Sequence, residues 1–202
     1  MDESKDSRVP LYRKRSGVEI DWLPSTDQFR VVAEMEDEHH RMSLTMVVDK
    51  VTLRIREIGA EMPGVPDPVC GRAAALLKGL LGKTAGAGIM RELGDEWGRA
   101  GCVHLKDLFR AACYCLPQAQ AARGREDLNA LFPGLTEEQL YRMFFGFRPE
   151  MYGSCVRYSD GSPFLDKVRS AELPEGAERL WAAAPRPEAP GQTEGRKGQP
   201  VG

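Results

Sequence analysis

A thiol and an imidazole stand two positions apart in GCVHLKDLF, residues 101–109: Cys102 and His104 follow Gly101 where an apolar helical repeat begins. The unpaired amides and dipole of a helix N-terminus favour a thiolate, the form that ligates a metal or attacks sulfur. His104 supplies a second ligand, and Asp107, three residues further on, can orient its ring. Cys70 stands near another helix start, after PGVPDP. Two cysteines at two helix starts converge if both helices pack on one face of a sheet. Cys70, Cys102 and His104 are therefore candidate ligands for zinc or iron, with His40 or Asp107 contributing. His39 and His40 lie in the acidic turn EDEHH, and adjacent residues on extended chain face opposite ways, so at most one joins a common site.

The same residues admit plainer roles. Free cysteine is among the most buried residue types, which makes Cys70 and Cys102 candidate core residues and His104 a helix cap. Cys113 and Cys115 spread over opposite sides of a helix, which suits packing, and Cys155 is isolated. A nucleophilic Cys102 with His104 as its base is a third reading. Residues i and i+2 of one helix lie about 200° apart, so that pair works only if Cys102 precedes the helix.

The elements that must position these groups follow from periodicity. Residues 1–17 are dominated by charge, including RKRS at 13–16, and read as a flexible basic arm. Phe29, Val31, Ala33 and Met35 alternate with more polar neighbours, as do Met42, Leu44, Met46 and Val48, which predicts two half-buried strands. Asp49-Lys50 permits a tight reversal into VTLRIREI, where Val51, Leu53 and Ile55 predict a third. Pro68 opens a predicted helix through VCGRAAALLKGLLG, whose Leu76, Leu77, Leu80 and Leu81 form a stripe that Gly82 ends. A short helix is expected through GIMRELGDEW, and a longer one from Cys102 to about Ala122, kinked or shortened by Pro117. Thr136 and Gln139 have capping-box spacing for a further helix ending near Gly146. The predicted fold is α+β: an antiparallel meander of about three strands packed against helices over residues 18–150, with a helical extension. An irregular segment over 151–182 and a disordered Pro/Gly-rich tail over 183–202 complete the expectation.

Bulk properties narrow the partners. The 202 residues are 42% hydrophobic and 29% charged with a net charge of −2, which describes a globular chain without global attraction to nucleic acid or anionic membrane. No apolar run reaches the roughly 18 to 20 residues that span a bilayer. Five cysteines, an odd number, without an export signal predict reduced thiols and a cytoplasmic location. The Gly-Lys-Thr of GLLGKTAGAG follows a leucine-rich helix pattern in place of a strand and phosphate loop, and no G-x-S-x-G or H-E-x-x-H occurs.

In the order LYRKRSGVEI, HHRMSLTMVVD, LRIREI, PDPVCGRAAALLKGLLGK and GCVHLKDLF, over roughly residues 10 to 122, the chain resembles a bacterial family known only as domain of unknown function 2889. GCVHLKDL is the most specific part, and the resemblance implies no activity. The layout also resembles NifU-type iron–sulfur scaffold and SufE-type sulfur-acceptor domains. MSLTMVVD stands for a scaffold strand, Cys70 for the helix-start cysteine, Gly82-Lys83 for the turn after it, and Cys102 with His104 for the late ligand pair. EDEHH occupies the place of the first scaffold cysteine, where His40 or His39 substitutes, and the late pair reads Cys-Val-His in place of His-Cys. That resemblance implies an accessory protein holding zinc, iron or an iron–sulfur cluster, or handling sulfur, more readily than an enzyme. The competing expectation is a non-catalytic module with buried thiols that serves a protein partner or enzyme complex.

Overall fold

The computed structural model describes residues 10–86, 88–93, 97 and 100–182. Four strands, β1 (Arg15–Leu23), β2 (Gln28–Glu36), β3 (Arg41–Asp49) and β4 (Ile55–Gly64), form one antiparallel sheet in chain order. The α+β class agrees with the sequence pattern, but the sheet has four strands and not three. β1 is the addition. Its Val18, Ile20 and Trp22 alternate yet are only partly buried, and Gly17, Glu19 and Asp21 dilute the apolar period. Arg15, Ser16 and Gly17 come from the stretch expected as an arm, and its residues 1–9 lie outside the described residues.

β2 and β3 follow the predicted alternation residue by residue. Phe29, Val31, Ala33 and Met35 pair with Val48, Met46, Leu44 and Met42, and all eight are buried. β4 starts at Ile55, later than expected, because Asp49-Lys50 lacks the residues with positive φ that a two-residue hairpin requires. A loop over 50–54 replaces the tight reversal. The Leu53 amide donates to the Asp49 carbonyl at 2.9 Å, and Leu53 itself takes a φ of 54°.

The helix expected from Pro68 is present over Pro68–Leu80, and it is a 3-10 helix. Asp67 caps it by accepting from the Val69 amide at 2.8 Å, and Ala73, Leu77 and Leu80 are buried. A short apolar stripe does not discriminate between the two helical periods, and Gly71 and Gly79 lower the α propensity. The chain then returns to β4: the Gly82 amide, at φ 78°, donates to the Ile55 carbonyl at 2.8 Å, and the Ile55 amide to the Lys83 carbonyl at 2.9 Å. α1 (Ile89–Glu92) is shorter than the helix expected over 88–97, of which residues 94–96 lie outside the described residues.

α2 (Val103–Leu131) is longer than predicted and carries Pro117 internally. Leu105, Leu108, Phe109, Ala112, Cys113 and Leu116 form a buried stripe in the same core as β2 and β3, an anchorage that offsets the hydrogen bond Pro117 cannot donate. The Gln120 side chain donates to the Lys50 and Val51 carbonyls at 2.7 and 3.1 Å, and the Arg123 guanidinium lies 3.7 Å from the Trp22 ring centre. The middle of α2 is thereby held to the β3–β4 loop and to β1.

The chain divides into two units between Arg123 and Gly124. The second holds α3 (Glu137–Phe147), α4 (Pro163–Ser170) and α5 (Ala177–Ala182), with 3-10 turns at Pro149–Met151 and Val156–Tyr158. The expected capping box is present: the Gln139 amide donates to Thr136 Oγ1 at 3.2 Å and the Thr136 amide to Gln139 Oε1 at 2.9 Å. The stretch 151–182, expected to be irregular, is largely helical, because Ser162-Pro163 starts one helix and Gly176, at φ 83°, admits the turn into another. The tail expected to be disordered, 183–202, lies outside the described residues. Among the described residues no helix is long and apolar enough to cross a membrane.

Candidate metal centre

The register that pairs Glu36 with Arg41 leaves residues 37–40 to reverse the chain between β2 and β3. Asp37 builds that reversal. Its amide donates to the His40 carbonyl at 2.9 Å, and its Oδ1 accepts from the His39 and His40 amides at 2.9 and 2.8 Å. Aspartate does this readily because its short side chain reaches the amides that follow it. The same Oδ1 lies 3.0 Å from His40 Nδ1, and Oδ2 accepts from the Tyr12 hydroxyl at 2.9 Å. These donors, the His39 amide foremost, hold the Asp37 carboxyl well below the ordinary carboxylate range against the opposing effect of desolvation. A carboxylate only accepts, so His40 Nδ1 donates to it and Nε2 is the ring nitrogen left for another partner.

The second half of the site comes from the start of α2. The Lys106 amide donates to the Cys102 carbonyl at 3.0 Å, which makes Cys102 the cap residue, outside the helix proper. Gly101 before it is sterically required: a Cβ there would lie 2.5 Å from the Trp97 carbonyl oxygen. In this arrangement Cys102 Sγ is 4.0 Å from His104 Nδ1. The His104 and His40 ring centres are also 4.0 Å apart, with an interplanar angle of 46°. Burial lowers the His104 pKa, the charges of His40 and Lys14 add to the effect, and Asp37 and Asp107 oppose it. That shift favours the neutral imidazole, the form that ligates metals.

Asp37, His40 and His104 offer ligand atoms that all lie within 4.8 Å of one another, the one such group of three or more among the described residues. Two sequence candidates, His40 and His104, therefore meet, while Cys102, with its Sγ 4.0 Å from His104 Nδ1, stands next to the group and not in it. His39 is exposed. Cys70 is half-buried in the 3-10 helix, its amide bonded to the Asp67 carbonyl at 3.0 Å, and does not belong to the group. Asp107 also stands outside it, 3.7 Å from Arg110 Nη1. Cys113 is buried, Cys115 half-buried and Cys155 exposed, and all five thiols are free. Asp37 is the residue that sequence reasoning missed. Its signal was an aspartate two and three residues ahead of histidines in a tight turn, where its carboxylate meets both their amides and an imidazole.

Residues 20–117 match the family described as "Protein of unknown function (DUF2889)", in agreement with the first resemblance. No curated protein and no solved structure matches the chain. The looser likeness to NifU-type and SufE-type domains thus has no support from these comparisons. The matched span contains Asp37, His40, Cys102 and His104, while Tyr12 precedes it.

Proposed function

We propose, for a chain whose residues 20–117 belong to that family of unknown function, that the first unit is a metal-binding accessory domain. His40 and His104 bind one divalent ion, and Asp37 orients His40. The observation that carries this reading is the meeting of two imidazoles 64 positions apart in the chain, ring centres 4.0 Å apart, one of them backed by a carboxylate. A carboxylate on the far nitrogen is how proteins fix the tautomer of a ligating histidine and raise its basicity. Five free thiols suit a reducing compartment, and we assign the protein to the cytoplasm.

Zinc titration of the full chain against a chromophoric chelator tests the reading. One ion per chain is expected. Because loss of even an outer partner of a metal ligand costs about 10–100-fold in affinity, His40→Ala and His104→Ala should each cost at least about 100-fold. Cys70→Ser should bind as the wild type does. Absence of binding, or binding indifferent to both histidines, overturns the proposal.

A further inference from the structure

We infer that Cys102 is a third ligand of this ion, which makes the site selective for thiophilic divalent metals of the zinc, iron(II) and cobalt(II) class over magnesium, calcium and manganese. The inference rests on the metal reading above and adds the identity of the ion.

Distance is the first argument. Bonds of roughly 2.3 Å to sulfur and 2.0–2.1 Å to nitrogen around a tetrahedral ion set the sulfur and nitrogen about 3.6 Å apart. Cys102 Sγ and His104 Nδ1 are 4.0 Å apart, so a closure of about 0.4 Å seats both on one ion. The other histidine donor is His40 Nε2, because Nδ1 is engaged by Asp37. Two imidazoles on a tetrahedral ion have ring centres about 5 Å apart, so loading turns the His40 and His104 rings apart by about 1 Å from their present 4.0 Å.

Asp37 shares the 4.8 Å group with both histidines, as Cys102 does not, yet it is the weaker claimant to a ligand place beside them. Its Oδ1 already serves two amides and an imidazole, and its Oδ2 the Tyr12 hydroxyl. A carboxylate so engaged supports a ligand in preference to acting as one. Cys102 Sγ, by contrast, faces His104 Nδ1 at 4.0 Å, and Cys102 is only half-buried, which leaves the ion a way in. On binding, the thiol S–H bond is replaced by a sulfur–metal bond and the proton leaves to solvent. A thiolate in the set selects softer transition ions, and three protein ligands leave the fourth position to water or an added ligand.

Cobalt(II) loading of the full chain separates the two readings. Visible d–d bands report an ion in a tetrahedral site, and a near-ultraviolet sulfur-to-cobalt charge-transfer band reports a thiolate ligand. The wild type and Cys70→Ser should show both. Cys102→Ser should keep the d–d bands, lose the charge-transfer band, and bind zinc about 100-fold more weakly. In a second arm, iodoacetamide labelling is mapped by mass spectrometry: zinc should protect Cys102 and leave the exposed Cys155 reactive. Cobalt d–d bands without charge transfer, or Cys102 labelling unchanged by zinc, overturn the sulfur ligand while the histidine site stands. Absence of cobalt bands and of zinc binding removes both.

Discussion

At the scale of single residues, Asp37 joins structure to chemistry, since one carboxylate turns the chain between β2 and β3 and fixes the tautomer of His40. Asp37→Asn separates the two jobs. An asparagine oxygen still accepts from the His39 and His40 amides, but the charge behind the imidazole is gone. Zinc affinity should fall about tenfold or more with little change in melting temperature, as chelator competition and thermal denaturation will report. This residue was hard to read from the sequence because an acidic turn looks like any solvated turn until the register of the flanking strands is known. His40 and His104 were legible as types; their meeting was not, because spacing along the chain carries no information about it. Cys113 shows how environment divides like groups. Burial pushes its thiol from 9.0 up to about 12, with Gly86 opposing. An unfolded thiol ionises near 9.0, so above that pH the unfolded state binds fewer protons and gains relative to the folded one. The stability Cys113 contributes is full below pH 9 and is lost as the pH rises toward about 12, by at most about 1.4 kcal/mol per pH unit. Urea unfolding across that range should show this slope in the wild type and a shallower one in Cys113→Ala.

At the scale of elements, the site depends on how α2 begins. Cys102 precedes the helix, Gly101 lies against the Trp97 backbone, and the buried stripe from Leu105 to Leu116 seats the helix in the core. A methyl group at position 101 meets a backbone oxygen, which no side-chain rotation relieves. Gly101→Ala should therefore destabilise the protein by about 1–3 kcal/mol, as overpacking does elsewhere, and should weaken zinc binding because Cys102 and His104 move with the helix start. Denaturant unfolding and zinc titration on the same samples test this, and unchanged stability would contradict the close approach. Elements with a pure period were legible: β2 and β3 have every alternate residue buried, and the core stripe of α2 has helical spacing. Elements with a mixed signal were not. β1 interleaves its apolar residues with charges, a short leucine stripe fits a 3-10 helix as well as an α-helix, and packing carries α2 through a proline that local rules treat as a stop.

At the scale of the whole molecule, the candidate site and the family match both belong to the first unit. The second unit carries apolar clusters of its own. One joins Leu128, Leu140, Met143 and Ala177; the other centres on Phe145, Leu165 and Val168, flanked by Tyr141, Tyr158 and Phe164. Within it Arg157 stacks 3.7 Å from the Phe164 ring centre and bonds Glu137 at 2.7 Å, and the Arg142 guanidinium donates to the Arg169 and Ala171 carbonyls. These contacts explain why 151–182 forms helices despite a sequence pattern too short and too charged to announce them: the burial that supports each helix is supplied by α3. If the metal chemistry belongs to the first unit alone, weakening the second leaves it untouched. Thr136→Ala removes the side-chain cap of α3 and should cost the second unit about 1 kcal/mol. Hydrogen exchange read by mass spectrometry should show faster exchange across Glu137–Phe147 and unchanged protection in β2 and β3, with zinc affinity equal to that of the wild type. A parallel loss of protection in the sheet, or a weaker zinc site, would mean that the two units open as one and that the ion depends on more of the chain than Asp37, His40, Cys102 and His104.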